Sequence, residues 1–288
     1  MENLLQINNL NKSFSDFSLK NISFSLDKGY IMGFIGPNGS GKSTTVKLIM
    51  NLIRKDSGEI KIFGLDHIEH EKKVKEKIGF VYDQNHYYEE LRIEEMKRII
   101  SRFYNSWQEE TFKRYMKIFN LKPQQKIKEL SKGMKMKFSL AAALSHDADF
   151  IIMDEPTSGL DPIVRCEFLD ILYTIIQDEN KAILFSSHIT ADLDTIADYI
   201  TFINDGELVF SKPKDDVLEE YRIIKGGNDI LTDSLKKLVV GIREGKFGFE
   251  ALTKNISELK KLCKDNIIVE KPTLDDIMVY TVRGKKQC

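Results

Sequence analysis

The 288-residue chain is predicted to adopt an α/β fold: a mixed-sheet core with an N-terminal antiparallel β-layer, a helical insertion and a small C-terminal α+β extension. Three observations lead to this reading. A short apolar run, Ile31 to Ile35, passes through a glycine-rich loop into a helix-forming stretch, Thr45 to Leu52. A second apolar run, Phe150 to Met153, ends in the adjacent carboxylates Asp154 and Glu155, as a parallel strand buried on both faces does at its exit. Between the two lie segments with apolar residues at helical spacing.

The elements follow in order. Leu4 to Leu26 alternates between polar clusters, the pattern of short antiparallel strands, and carries Phe14 and Phe17, either of which offers a face to a planar base. The loop Gly36-Pro37-Asn38-Gly39-Ser40-Gly41-Lys42-Ser43-Thr44 has the spacing and the strand–loop–helix context of a phosphate-binding loop. Its inward N–H groups and the helix N-terminus attract an anion, and glycine lets the backbone come close. Lys42 is expected on the β- and γ-phosphates of a nucleotide, Ser43 on Mg²⁺, and Thr44 near the α-phosphate. The α/β core is therefore predicted to be that of a P-loop NTPase.

Ser57 to Gly64 reads as a short strand, His67 to Lys77 as a charged surface helix, and Ile78 to Tyr82 as an apolar strand. That strand ends in Asp83-Gln84-Asn85, where an α/β sheet meets its ligands, so Asp83 or Gln84 could touch Mg²⁺ or the attacking water. Arg92 to Tyr104, Glu109 to Phe119 and Lys135 to Ser145 are three amphipathic helices of an insertion spanning about residues 88–146. Asp154 at the tip of its strand can hold Mg²⁺ through water, and Glu155 can polarise the attacking water. Asp161 and Pro162 supply an N-cap and a first helical residue. Ala182 to Ser187 is another buried strand and delivers His188 beside the other strand ends, in place to sense a γ-phosphate. Tyr199 to Asn204 and Glu207 to Ser211 form a hairpin around Asp205-Gly206.

Composition sets the limits. Lys plus Arg (43) nearly balance Asp plus Glu (44), which gives no reason to expect a nucleic-acid partner. No basic n-region with an apolar core opens the sequence, and no apolar run approaches the roughly 18 residues that cross a bilayer. Three cysteines, Cys166, Cys263 and Cys288, lie far apart without metal-binding spacing, in keeping with a reducing cytosol.

Together these stretches resemble the ATP-binding subunit of an ABC transporter over about residues 2–225. The resemblance identifies Gly36 to Thr44 as Walker A, Asp83 or Gln84 as the glutamine-loop position, Phe150 to Glu155 as Walker B, Ser158 to Asp161 as the D-loop and His188 as the switch histidine. Leu130-Ser131-Lys132-Gly133-Met134 stands where the signature Leu-Ser-Gly-Gly-Gln is expected; it retains Ser131 and Gly133 for the partner's γ-phosphate and departs at Lys132 and Met134. Lys132 implies an ordinary negative φ there, with the side chain directed to solvent. By family spacing the nucleotide-stacking aromatic is Phe14.

The Ser-Lys-Gly-Met variant is similar to signatures of ABC-2-type exporter subunits that move drugs, antibiotics or peptides. The resemblance implies ATP and Mg²⁺ as cofactors, and catalysis by Glu155, Lys42 and His188. It also implies a homodimer or heterodimer of nucleotide-binding subunits, a separate transmembrane permease, and a cytoplasmic position on the inner face of the membrane. The alternative is a soluble ABC ATPase in a non-transport role; the long coiled coil or the paired cassettes with a basic linker of such proteins are missing. Residues 226–288 carry none of these motifs. They read as two paired strands, Leu238 to Arg243 and Phe247 to Leu252, then helices from Ile256 to Lys264 and after Pro272, a subdomain that caps the core.

Overall fold

The computed structural model describes residues 3–82, 87–263 and 266–284. Strands β1 (Asn3–Ser13) and β2 (Ser18–Asp27) lead to β3 (Ile31–Ile35), helix α1 (Lys42–Ile49), β4 (Ser57–Ile62), β5 (Leu65–Asp66), α2 (Glu71–Glu76) and β6 (Ile78–Tyr82). The insertion supplies α3 (Ile93–Ser101), α4 (Glu109–Ile118) and α5 (Lys132–Leu144). The second half contributes β7 (Phe150–Asp154), α6 (Pro162–Ile176), β8 (Ala182–Ser187), α7 (Thr190–Ile196), β9 (Tyr199–Asn204), β10 (Glu207–Pro213) and α8 (Lys214–Glu220). The chain goes on through β11 (Arg222–Gly226), α9 (Asp233–Lys236), β12 (Val239–Glu244), β13 (Phe249–Thr253), α10 (Ile256–Cys263), β14 (Ile267–Glu270) and α11 (Leu274–Gly284).

One ten-stranded sheet runs β5-β4-β1-β2-β10-β9-β3-β8-β7-β6. Its β9-β3-β8-β7-β6 half is parallel, and its β5-β4-β1-β2 half is antiparallel. Hairpin β9–β10 joins the halves where Glu207 pairs with Lys20, so the N-terminal layer continues the core sheet.

Period-two alternation divides the core between the sheet's two faces. Ile31, Ile35, Ile151, Met153, Ile183 and Phe185 join the cluster containing α5 to α7, while Met32, Phe34, Phe150, Ile152 and Leu184 join the cluster containing α1. At Gly33 the approach is close: a Cβ there would stand 2.9 Å from Leu193 Cδ1 of α7.

Several boundaries differ from the sequence expectation. Helix α1 begins at Lys42, not Thr45, because Gly41 takes the N-cap in the left-handed region (φ 112°). It ends at Ile49, with Asn51 left-handed (φ 50°) just beyond. The helix expected from His67 starts only at Glu71: Asp66 Oδ1 accepts from the N–H groups of Ile68 and Glu69, and His67 is buried with its Nδ1 3.1 Å from Ile60 O. Helix α5 begins at Lys132 because the Ser131 hydroxyl caps it, accepting from Met134 N at 3.2 Å.

The second, antiparallel sheet runs β12-β13-β11-β14, so the expected boundary at residue 225 falls inside β11. The β12–β13 hairpin and the two helices after it follow the sequence reading. Helix α11 does more than cover the core, since Leu274, Ile277 and Tyr280 enter the same cluster as Leu193 and Ile196 of α7.

Ile277→Ala should therefore destabilise the nucleotide-binding core by about 2–5 kcal/mol. Phe247→Ser, at a hairpin tip where the ring is 98% exposed, should stay within about 0.5 kcal/mol. Urea unfolding of both variants checks the contrast, and a neutral Ile277→Ala would show that α11 is not integral.

Candidate functional site

The parallel strands β3, β7 and β8 are neighbours in one register, so their C-terminal ends deliver three loops to one place. They line a cavity of about 620 Å³. From the loop after β3, Asn38, Gly39, Gly41, Lys42, Ser43 and Thr44 reach it. Glu155 and Ser158 come from the loop after β7, and His188 from the loop after β8. Gly41 is needed twice over: beyond its left-handed φ, a Cβ would stand 2.5 Å from Leu19 Cδ2 and 3.0 Å from Phe17 Cζ. Ser40 turns away from the cavity, buried, and its carbonyl accepts from Gly206 N at 3.0 Å, so the β9–β10 turn braces the loop.

Lys42 is only 5% exposed, and its ammonium donates to Gly36 O (2.8 Å) and Pro37 O (3.3 Å). It also pairs with Glu155 Oε1 at 3.3 Å. The other Glu155 oxygen, Oε2, lies 2.6 Å from His188 Nδ1 and accepts from His188 N at 3.3 Å. Lys42, Glu155 and His188 thus form one connected row. Glu155 has a left-handed backbone (φ 51°), uncommon for a side chain with Cβ and held by Ser186: its N–H donates to Ser186 O at 3.1 Å and to Ser186 Oγ at 3.2 Å.

Asp154 is buried, with Oδ1 accepting from Ser186 Oγ (2.5 Å) and Ser43 Oγ (3.2 Å). Burial foremost, helped by the nearby Glu155 charge, raises the Asp154 pKa above the ordinary aspartate value, against the pull of those two hydroxyls and Lys42. Ser43 and Asp154 are hard oxygen donors side by side, a set that suits Mg²⁺ completed by water and phosphate oxygens.

Other expected residues fall elsewhere. Phe14 does not line the cavity. It is 47% exposed, with Lys12 Nζ 5.5 Å over its ring, because the β1–β2 turn points it outward. The same turn carries Asp16 and Phe17 into the cavity wall. Ser131 and Gly133 sit at the start of α5 and do not line this cavity; Gly133 is buried so closely that a Cβ would stand 2.9 Å from Val164 Cγ1. Lys132 is exposed and without positive φ, but it does not simply face solvent: its side chain runs along Gly159, Nζ 3.4 Å from where a Cβ would be. Asp161 caps α6, its Oδ1 accepting from Ile163 N and Val164 N at 3.1 Å. Asp83 and Gln84 lie outside the described residues. Sequence reasoning missed Asp16 and Ser186, and it gave Ser158 only as the start of the D-loop.

A phosphate cradle whose lysine meets a carboxylate, itself held by a histidine from the adjacent strand end, defines a nucleotide-hydrolysing P-loop protein. The comparisons make the class specific. The family model described as ABC transporter matches residues 19–158. The linearmycin resistance ATP-binding protein LnrL of Bacillus subtilis (strain 168) is 32% identical over 79% of this chain and 74% of its own length. The bacitracin transport ATP-binding protein BcrA of Bacillus licheniformis is 29% identical over 77% of this chain and 74% of its own. A solved ATP-binding subunit of an ABC transporter superposes with TM-score 0.69 and 27% identity, covering 75% of this chain and 92% of that one. The ATP-binding cassette MJ0796, solved as a dimer with ADP and Pi, shares the fold: TM-score 0.64, 24% identity, 73% and 98% covered. The chain belongs to the ATP-binding proteins of ABC transporters, and it is an ATPase.

Asp154→Asn should raise the melting temperature of the nucleotide-free chain at neutral pH, by roughly 2–4 °C for each kcal/mol relieved. A carboxyl whose folded pKa is raised costs stability only when ionised, so the gain should fade as the pH drops through that raised value. Melting curves across pH test this, and a lower melting temperature for the Asn variant at pH 7 would contradict it.

Proposed function

We propose that this chain is the ATP-hydrolysing subunit of an exporter of drugs, antibiotics or peptides, working on a separate transmembrane permease from the cytoplasmic face. One observation carries the reading. The hydrolytic groups Lys42, Glu155 and His188 share one cavity, while Ser131 at the α5 N-terminus stands apart and exposed. Residues suited to a γ-phosphate yet remote from their own cavity make sense when a second nucleotide-binding subunit supplies the missing wall. Each ATP is then sandwiched between the Gly36–Thr44 loop of one subunit and Ser131 and Gly133 of the other, in a homodimer or heterodimer.

In that site the loop's N–H groups and the Lys42 ammonium bind the β- and γ-phosphates, and Phe17, in the wall where Phe14 is not, packs against the base. Bound Mg²⁺, held through Ser43 and Asp154, would neutralise charge that develops on the phosphates. Glu155 orients the attacking water and accepts its proton, and His188 holds Glu155 while sensing the γ-phosphate. Among the described residues no helix is long and apolar enough to cross a membrane, which supports a separate permease. The linearmycin relative is named for resistance, which supports export as the direction.

Glu155→Gln keeps the side-chain shape and loses the base. ATP should still bind, turnover should fall by about 10²- to 10⁴-fold, and the variant should elute from a sizing column with ATP and Mg²⁺ as a dimer. Turnover at the wild-type rate would remove Glu155 as the base.

A further inference from the structure

Behind the Glu155–His188 contact lies a second tie between the same two loops. Thr157, two residues after Glu155, is 1% exposed, and its Oγ1 donates to Asp192 Oδ2 at 2.6 Å. Asp192, also 1% exposed, stands in the first turn of α7, the helix that begins two residues after His188. Its other oxygen, Oδ1, accepts from Arg165 Nε of α6, the helix that leaves the same loop through the Asp161 cap. Both carboxylate oxygens are thus occupied, each by one side of the loop that carries Glu155.

A buried ion pair gives little net stability, since desolvating the charges offsets most of their attraction. What this one supplies is geometry. Between Glu155 and Leu160 the loop is two tight turns, Ser158 N to Glu155 O (3.2 Å) and Leu160 N to Thr157 O (3.2 Å), so it moves as a short stiff arm. Ser186 holds that arm at its root, through the Glu155 N–H. An arm held only at its root can pivot; held also at Thr157, it cannot.

We propose that Thr157 and Asp192 are positioning residues for ATP hydrolysis: their hydrogen bond fixes the loop of Glu155 against the helix of His188, so that the carboxylate meets the attacking water at one distance and angle. The proposal rests on Glu155 as base. Neither residue of the pair lines the cavity, and the phosphate cradle is built from other residues. Its loss should therefore slow chemistry and leave nucleotide affinity alone, because a displacement of about 1 Å can cost about a hundredfold in rate.

The test uses the full chain, with steady-state turnover at saturating ATP and Mg²⁺, dissociation constants from a fluorescent ATP analogue, and melting temperatures. Thr157→Val replaces the hydroxyl with a methyl of like size, and Thr157→Ser keeps the hydroxyl. The Val variant should lose at least about tenfold in kcat with its dissociation constant within about twofold of wild type. The Ser variant should keep more than about half of the wild-type kcat, even where its melting temperature falls. Asp192→Ala removes the acceptor and should behave as Val does, and it carries the comparison with Ser if the Val variant does not fold. A Thr157→Val or Asp192→Ala variant turning over within about twofold of wild type overturns the proposal, as does a Ser variant as slow as Val, which would mean packing alone. Failure of Glu155→Gln to slow turnover strikes the underlying reading instead, so the two failures are distinguishable.

Discussion

With Lys42 almost wholly buried, its ammonium must find partners within the protein, and it finds the Gly36 and Pro37 carbonyls and the Glu155 carboxylate. The surrounding architecture exists to make that meeting possible. Parallel strands in one register bring the loops after β3 and β7 side by side, Gly41 lets the first turn of α1 close over the loop, and the left-handed backbone of Glu155 aims its carboxylate at the ammonium. Two acids face one lysine, so the cavity is not an anion site by charge alone. On the proposed function, phosphates would gain Lys42 as Glu155 gives it up, and the same exchange would free Glu155 to act on water, linking binding and activation in a single pair of atoms.

The same economy extends outward. Ser186 bonds both Asp154 and the Glu155 backbone, so one hydroxyl fixes the two acids relative to each other. Helix α7 starts beside His188, packs on β3 across Gly33, and carries Asp192 toward the loop of Glu155 and Leu193 into the core shared with α11. The C-terminal extension thus touches the helix that follows His188, which ties its folding to that of the cavity.

Much of this was legible in the sequence because it is local. The Gly36–Thr44 loop, the acids at the end of β7 and the Asp161-Pro162 helix start are each set by neighbours in the chain, and two-faced strands show as unbroken apolar runs. What stayed hidden depends on distant contacts or on where a turn points. Phe14 and Phe17 are equivalent on paper, and only the β1–β2 turn decides which faces the cavity. The start of α1 hinges on the conformation of Gly41, the loss of the first turn expected at His67 on Asp66 capturing the next two N–H groups. Thr157 and Asp192 come together through tertiary folding, and neither belongs to a motif that spacing can reveal. Ser131 and Gly133 entered through the family resemblance alone, which assigns them to the partner's γ-phosphate.

The central claim is that the Lys42 ammonium, released from Glu155, is the charge that holds ATP. Calorimetric titration of ATP with Mg²⁺ into wild type and Lys42→Ala tests it most directly. Losing a charged hydrogen bond worth about 1.5–3 kcal/mol predicts affinity lower by about tenfold to a hundredfold in a variant that remains folded. Equal affinity in the two proteins would contradict the claim.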